Sequence, residues 1–442
     1  MSPEIVTIIA LVVIFAIATF LPINMGALAF VAAFLVGTLS VGMDAEEILG
    51  GFPAELVLTL IGVTYLFAIA QNNGTVDLLV RGAVRLVGGH VAAIPWIMFF
   101  VTALLTAIGA LSPAAVAIIA PIALTFAARH GINPLLMGMM VIHGAQGGGF
   151  SPISVYGVTV NTIVKDEGLP NSSLAVFLGS LFFNLAIALV LFFVLGGRRL
   201  MGRKVAAHAA VAAGAGGDPD TEVRGHGTSA GDDVDEHPDR PQKVTVEQIL
   251  TLIGLAVVAV LALVFDLDIG FVAITVAVVL ALFSAEKQKG AVSQISWSTI
   301  LLIAGVLTYV FVLQEAGTID YVGEKVTAIG APLIVALLLC YIGGVVSAFA
   351  SSTAIIGVAI SLAVPFLQSG DIGSVGVVVA LSVASTIVDV SPFSTNGALV
   401  LANAQDVDRD RFYKQILSYA AIVVAAGPFL AWLVFVVVPA VL

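Results

Sequence analysis

The chain has 442 residues, 60% of them hydrophobic and 10% charged, with a mean hydropathy of +1.13. Soluble domains carry roughly a quarter charged residues, so the composition excludes one and describes an all-α polytopic membrane protein. The net charge of −11 says little about a substrate, because eight acids from Asp218 to Asp239 crowd into one loop, and the single Cys340 excludes an intrachain disulfide framework.

The first apolar run follows Glu4 with no basic residue ahead of it, so it reads as a first span rather than a cleaved signal peptide. A helix needs about 20 apolar residues to cross roughly 30 Å of hydrocarbon. Residues 4–21, 24–42, 54–71, 133–163 and 172–197 meet that length. The region 93–128 is interrupted by Gly109 and Ser112-Pro113. Its second arm, Ala114 to Ala128, would extend only about 22 Å, which predicts a re-entrant hairpin with its tip at Ser112.

The chain then repeats itself. At an offset near 244, Gly26 aligns with Gly270 and Thr64-Tyr65 with Thr308-Tyr309. Gly74-Thr75-Val76-Asp77 answers Gly317-Thr318-Ile319-Asp320, two motifs that read as turn and cap chemistry. The reading is of two repeats, 1–197 and 245–442, around a linker at 198–244 that is low in complexity and expected to be disordered. The second half carries its own hairpin at 332–367, with a tip at Ser351-Ser352-Thr353, between spans at 297–314 and 374–403.

Five crossings per repeat force the halves into opposite orientations, an inverted repeat. With the central loop cytoplasmic and both termini outside, 15 of the 17 basic residues fall inside and only Lys165 and Lys325 outside, as the positive-inside rule requires. Counting the hairpin arms as crossings would strand Arg129 and the Arg198 cluster on opposite faces.

The spans 133–163 and 374–403 are about 45 Å long as unbroken helices, more than a bilayer requires, which predicts breaks at the midplane. The first falls at Gly147-Gly148-Gly149 and Ser151-Pro152-Ile153-Ser154-Val155-Tyr156-Gly157, the second at Asp389 and Ser391-Pro392-Phe393-Ser394-Thr395-Asn396-Gly397. Such breaks are tolerated only where protein or a water-filled cavity surrounds them, so two of them point to one shared site. Half-helix amino ends suit an anion, and freed carbonyls suit a cation.

No lysine or arginine lies within a proposed span, so a carboxylate ligand would be met by helix ends, hydroxyls, Asn396 and a co-bound cation. The hydroxyls of Ser112, Ser151, Ser154, Ser351, Ser352, Thr353, Ser391, Ser394 and Thr395, with Asn396, form the candidate substrate site. Gly149, Ser112, Ser351, Thr353 and Asp389 form the candidate cation site, with sodium the one metal considered. A buried carboxylate costs roughly 2.5–3.5 kcal/mol on insertion scales. Asp389 is therefore the expected coupling residue, and Gly149 stands at its duplicate position. His143 reads as a structural hydrogen-bonding residue, Gln146 is ambiguous, and His208, His226 and His237 lack metal spacing.

Pro22-Ile23-Asn24-Met25-Gly26-Ala27-Leu28-Ala29-Phe30, Gly62 to Ala68 and Gln71-Asn72-Asn73-Gly74-Thr75 resemble the bacterial malonate and dicarboxylate carrier family, most strongly over the first 160 residues. Both halves also look like the wider ion transporter superfamily that includes the divalent anion sodium symporters. The resemblance implies an elevator-type secondary transporter and a homodimer in the bacterial inner membrane. Its substrate would be a dicarboxylate such as malonate or succinate, moving with sodium or protons. Those symporters carry Ser-Asn-Thr at their tips, whereas here the tips read Ser112-Pro113-Ala114 and Ser351-Ser352-Thr353. On the resemblance, Ser112 and Ser351 to Thr353 take the tip role, and Gly149 to Ser151 and Asp389 to Ser391 the broken-helix role. No cofactor beyond the coupling ion and no nucleic-acid partner is expected.

A cation/proton antiporter, which Asp389 alone would serve, is the alternative. It needs no polar anion pocket. An aspartyl protease needs two carboxylates sharing a proton, and only one lies at depth, so no enzyme is expected. A channel is disfavoured, because re-entrant inverted repeats more often accompany alternating access.

Overall fold

The computed structural model describes residues 2–21, 23–85, 90–203, 244–265, 267–283, 289–319, 321–322, 332–348, 352–368, 372–404 and 407–441. Most of the central linker, Ser351 and the side chain of Thr353 lie outside the described residues.

In the first half, α1 (Pro3–Phe20), α2 (Met25–Val36), the short α3 (Ala45–Gly50) and α4 (Ala54–Asn72) precede α5 (Thr75–Arg85). A hairpin of α6 (Ala93–Ala107) and α7 (Ser112–His130) follows, then α8 (Pro134–Gly148), α9 (Val155–Asp166) and α10 (Ser173–Val194). The second half repeats this plan with α11 (Val246–Leu263), α12 (Ile269–Phe283), α13 (Trp297–Glu315), a hairpin of α14 (Pro332–Ser347) and α15 (Ser352–Gln368), α16 (Ser374–Ile387), α17 (Thr395–Asn403) and α18 (Arg409–Trp432). The described residues form no strand, and six helices are long and apolar enough to span a bilayer.

Helices pair by exchange between the halves. α2 packs on α13 and α4 on α12. Each crossing needs a glycine against a glycine: a methyl group on Gly305 would overlap the Gly26 carbonyl oxygen, and one on Gly62 would stand 2.7 Å from the Gly270 oxygen. Helices in lipid associate by such close backbone approach, because apolar burial drives little there. The duplicated Gly-Thr-x-Asp motifs turn the chain as expected, with Gly74 and Gly317 at φ +75° and +70°.

Hydrogen bonds at the hairpin feet settle the topology. The amide of Val91, just before α6, donates to the carbonyl of Arg203, and the Arg203 guanidinium donates to the carbonyl of His130 at the end of α7. Both feet of the first hairpin therefore stand on the basic face. At its turn, Gly109 (φ +114°) leans on Val63, midway along α4. The second hairpin stands on the other face: Leu333 at its start accepts from the Trp432 indole, and Gln368 at its end donates to the carbonyl of Glu167. Opposite feet make the repeat inverted, and the end of α7 shares a face with the Arg198 to Arg203 cluster.

One expected length is corrected. α7 runs from Ser112 to His130, not from 114 to 128, because the helix continues through Arg129 and His130 until Gly131 closes it at φ +59°. Its 19 residues are spanning by length alone, yet they start at mid-depth and end on the face they came from. If cysteines placed at His90 and Gln368 in a cysteine-free background were labelled by an impermeant maleimide from the same side of sealed vesicles, this topology would be wrong. Opposite-side labelling is expected.

Candidate functional site

Both long spans break where the sequence predicts, and the breaks are built alike. The Ser154 hydroxyl donates to the carbonyls of Gly149 and Ser151, and accepts from the Gly157 amide. Offset by 240, the Ser394 hydroxyl donates to the carbonyls of Asp389 and Ser391, and accepts from the Gly397 amide. These are capping bonds at the amino ends of α9 and α17, which satisfy backbone groups that lipid would leave unpaired. Their protons are thus committed to the break itself. The motif glycines have an equally local cause: a methyl group on Gly157 or Gly397 would overlap the carbonyl oxygen of Ser151 or Ser391.

The hairpins close on these breaks. Both arms of each hairpin pack on the leading half-helix of their own repeat, α6 and α7 on α8 and α14 and α15 on α16, and the second arms also reach across, α7 to α17 and α15 to α9. At the first tip, the Asn396 side-chain amide donates to the Ser112 hydroxyl at 2.9 Å. The Asn396 carbonyl oxygen is buried and unpartnered. At the second tip, Ser347 donates to Ser352 at 2.8 Å, and the Ser352 side chain lies beside the Asp389 carboxylate. Ser112, Ser352, Asp389 and Asn396 thus converge around the second break, together with Ser391, whose hydroxyl accepts from the Phe393 amide at 3.2 Å.

The two breaks differ in access. Around the second, Phe393 is 60% exposed and Thr395 is exposed, whereas Ile153 and Val155 of the first are buried. Ser151 is buried at 6% exposure, and Gly149 offers only backbone. Four helix amino ends, those of α7, α9, α15 and α17, point their positive poles at this level, and the carboxyl ends of α6, α8, α14 and α16 bring carbonyls to it. The arrangement suits an anion beside a small cation.

Polar residues that sequence reasoning left aside also lie here. Ser382 and Ser385 carry buried, unpartnered hydroxyls one turn apart on α16, whose helical turns end at Ile387, just before Asp389. That spacing was the available signal. Both side-chain polar atoms of Gln146 are buried without partners. His143 is held structurally as expected, between Asn184 at 2.8 Å and the Tyr419 hydroxyl at 2.6 Å. Replacing Asn184 by Ala leaves one imidazole nitrogen unpaired. That should cost about 1–3 kcal/mol, read as a lowered thermal midpoint with transport per folded molecule unchanged.

Comparison with known proteins fits this geometry. Residues 1–149 match the family described as the dicarboxylate carrier protein MatC N-terminus. An uncharacterized transporter of Synechocystis sp. is 32% identical over 166 residues, which cover 37% of this chain and 26% of that protein. The chain therefore spans about a quarter of that relative's length. The crystal structure of the Alcanivorax borkumensis YdaH transporter, described as having an unusual topology, superposes with a TM-score of 0.60 at 14% identity, covering 98% of both chains. None of the three is described as an enzyme. Over its amino-terminal third the chain thus matches the dicarboxylate carriers, as the sequence resemblance anticipated, and over nearly its whole length it shares the fold of a solved transporter.

Proposed function

We propose that the protein is a secondary active transporter that moves a small dicarboxylate, such as malonate or succinate, with a sodium ion or a proton. The observation that carries this reading is the meeting of both hairpin tips with the second break. One tip places Ser112 and the free carbonyl oxygen of Asn396 there, and the other brings Ser352 to Asp389. The substrate carboxylates take the hydroxyls and helix amino ends of Ser112, Ser391, Thr395 and Asn396. The cation takes Asp389, Ser352 and the freed carbonyls, with Gly149 contributing backbone alone. Ser154 and Ser394 hold the breaks open. Ser151, Ser351 and Thr353 remain proposed members of the pocket by their place in the motifs.

An elevator motion has support in the packing. α1–α3 with α13, and part of α4 with α11 and α12, form two smaller buried clusters beside the large core around the hairpins and broken helices, to which α4 and α13 also contribute Leu56, Leu60, Phe67, Ile300 and Ile303. The site then moves as part of one body against a frame. We place the protein in a bacterial inner membrane as a homodimer, with the central loop cytoplasmic and both termini outside, on the strength of its basic-residue asymmetry and its family resemblance.

Counterflow of labelled malonate in proteoliposomes, competed by succinate, malate and citrate with and without sodium, tests the reading. Saturable exchange that responds to a sodium or proton gradient is expected. Cation/proton exchange with no dicarboxylate counterflow would instead establish the antiporter reading, which needs only Asp389. In the same assay Ser112→Ala should raise the malonate KM about fivefold or more, because it leaves the Asn396 amide without its acceptor, a loss of roughly 1–3 kcal/mol.

A further inference from the structure

We infer that the protein holds an anionic phospholipid between α10 and α18, in the leaflet of its basic face. A cavity of about 580 Å³ at that face is lined by Arg199, Arg203 and Arg411, with Asp408 as the one acid among its lining residues. The Asp408 carboxylate is already occupied in part, accepting the Arg411 amide at 3.1 Å as the cap of α18. The Arg203 guanidinium is oriented by its bond to His130. Three guanidinium groups against one carboxylate suit a phosphodiester, which planar arginine forks bind in two-point fashion.

The position of the cavity decides between a lipid and a free anion. One turn deeper along the same two helices lies an apolar groove of about 630 Å³: Leu195 of the cavity follows Leu191 of the groove, and Gln415 precedes Tyr419. Phe182, Val190 and Ile422 line it and are 60%, 60% and 64% exposed, so it opens toward lipid. From Leu191 to Leu178 it runs about 20 Å, against roughly 15 Å of hydrocarbon in one leaflet. A headgroup in the basic cavity therefore continues naturally into acyl chains in the groove. The Tyr419 hydroxyl at the groove wall bonds His143 in the first broken helix, so the bound lipid touches the body that carries the proposed site.

Binding to the full chain in detergent, by native mass spectrometry with thermal unfolding in parallel, tests this. Phosphatidylglycerol should bind at least about tenfold tighter than phosphatidylcholine, and each of Arg199→Gln, Arg203→Gln and Arg411→Gln should weaken it about fivefold. Ala186→Trp, which fills the groove and leaves the arginines in place, should abolish the phosphatidylglycerol preference even if the arginine variants fail to fold. Equal stabilisation by glycerol 3-phosphate or inorganic phosphate would make this a free-anion site and overturn the inference. So would phosphatidylglycerol binding that survives both the single arginine changes and Ala186→Trp.

Discussion

Asp389→Asn should leave a protein that folds and still binds malonate, yet whose transport no longer responds to the cation gradient. The carboxylate is the one acid placed at the second break, where the Ser352 side chain lies beside it and the helix that leads into the break carries two unpartnered serines. Asparagine keeps the shape and a carbonyl acceptor while removing the charge. A ligand bond to a charged group contributes about 2 kcal/mol more than its neutral counterpart would retain, so cation affinity should fall about 30-fold. Sodium titration of malonate counterflow, repeated across a range of pH, reads this directly. Unaltered cation dependence in the variant would move the coupling role elsewhere. The duplicate position serves as a control: Gly149 supplies no carboxylate, so the first break is expected to make its contribution through backbone alone.

Gly157→Ala and Gly397→Ala should each disable the protein at the level of folding. One methyl group at either position overlaps a carbonyl oxygen that the neighbouring serine hydroxyl also engages. The oxygen cannot retreat without giving up that bond, and at this depth no water replaces it. Overpacking of this kind costs about 3 kcal/mol, enough to lower the yield of folded protein several-fold. The comparison with Gly131→Ala is informative, because that glycine closes α7 on the basic face with nothing within 4 Å of a built methyl group, and its cost is backbone strain alone. Normal yields for both motif variants would show that the breaks relax more freely than their packing implies.

The architecture was legible because duplication writes it twice. Glycines at 26 and 270 and the Ser-Pro-x-Ser-x-x-Gly motifs survive in both copies for the same geometric reasons, and segment length against bilayer thickness separates hairpins from spans. The end of α7 was misjudged because an apolar run stops at Ala128 while the helix stops only where Gly131 adopts a left-handed conformation. Within the candidate site, residue type pointed to Ser112, Asp389 and Asn396, but hydroxyl chemistry alone cannot say where a proton goes. Ser154 and Ser394 carry the same side chain as Ser112 and spend it on backbone carbonyls. That both tips reach the second break is also a tertiary fact, set by the packing of α7 on α17 and of α15 on α16.

The exchange of helices between the halves bears on how the protein is made. α2 packs most heavily on α13 and α4 on α12, so the α4 crossing stays open until the chain has been synthesised past residue 283 and the α2 crossing until past residue 315. The first half must wait in the membrane with its contact surfaces unfilled, and lipids or an insertion factor must cover them in the meantime. An amino-terminal half expressed alone should therefore be short-lived, and co-expression of the second half as a separate chain should rescue it.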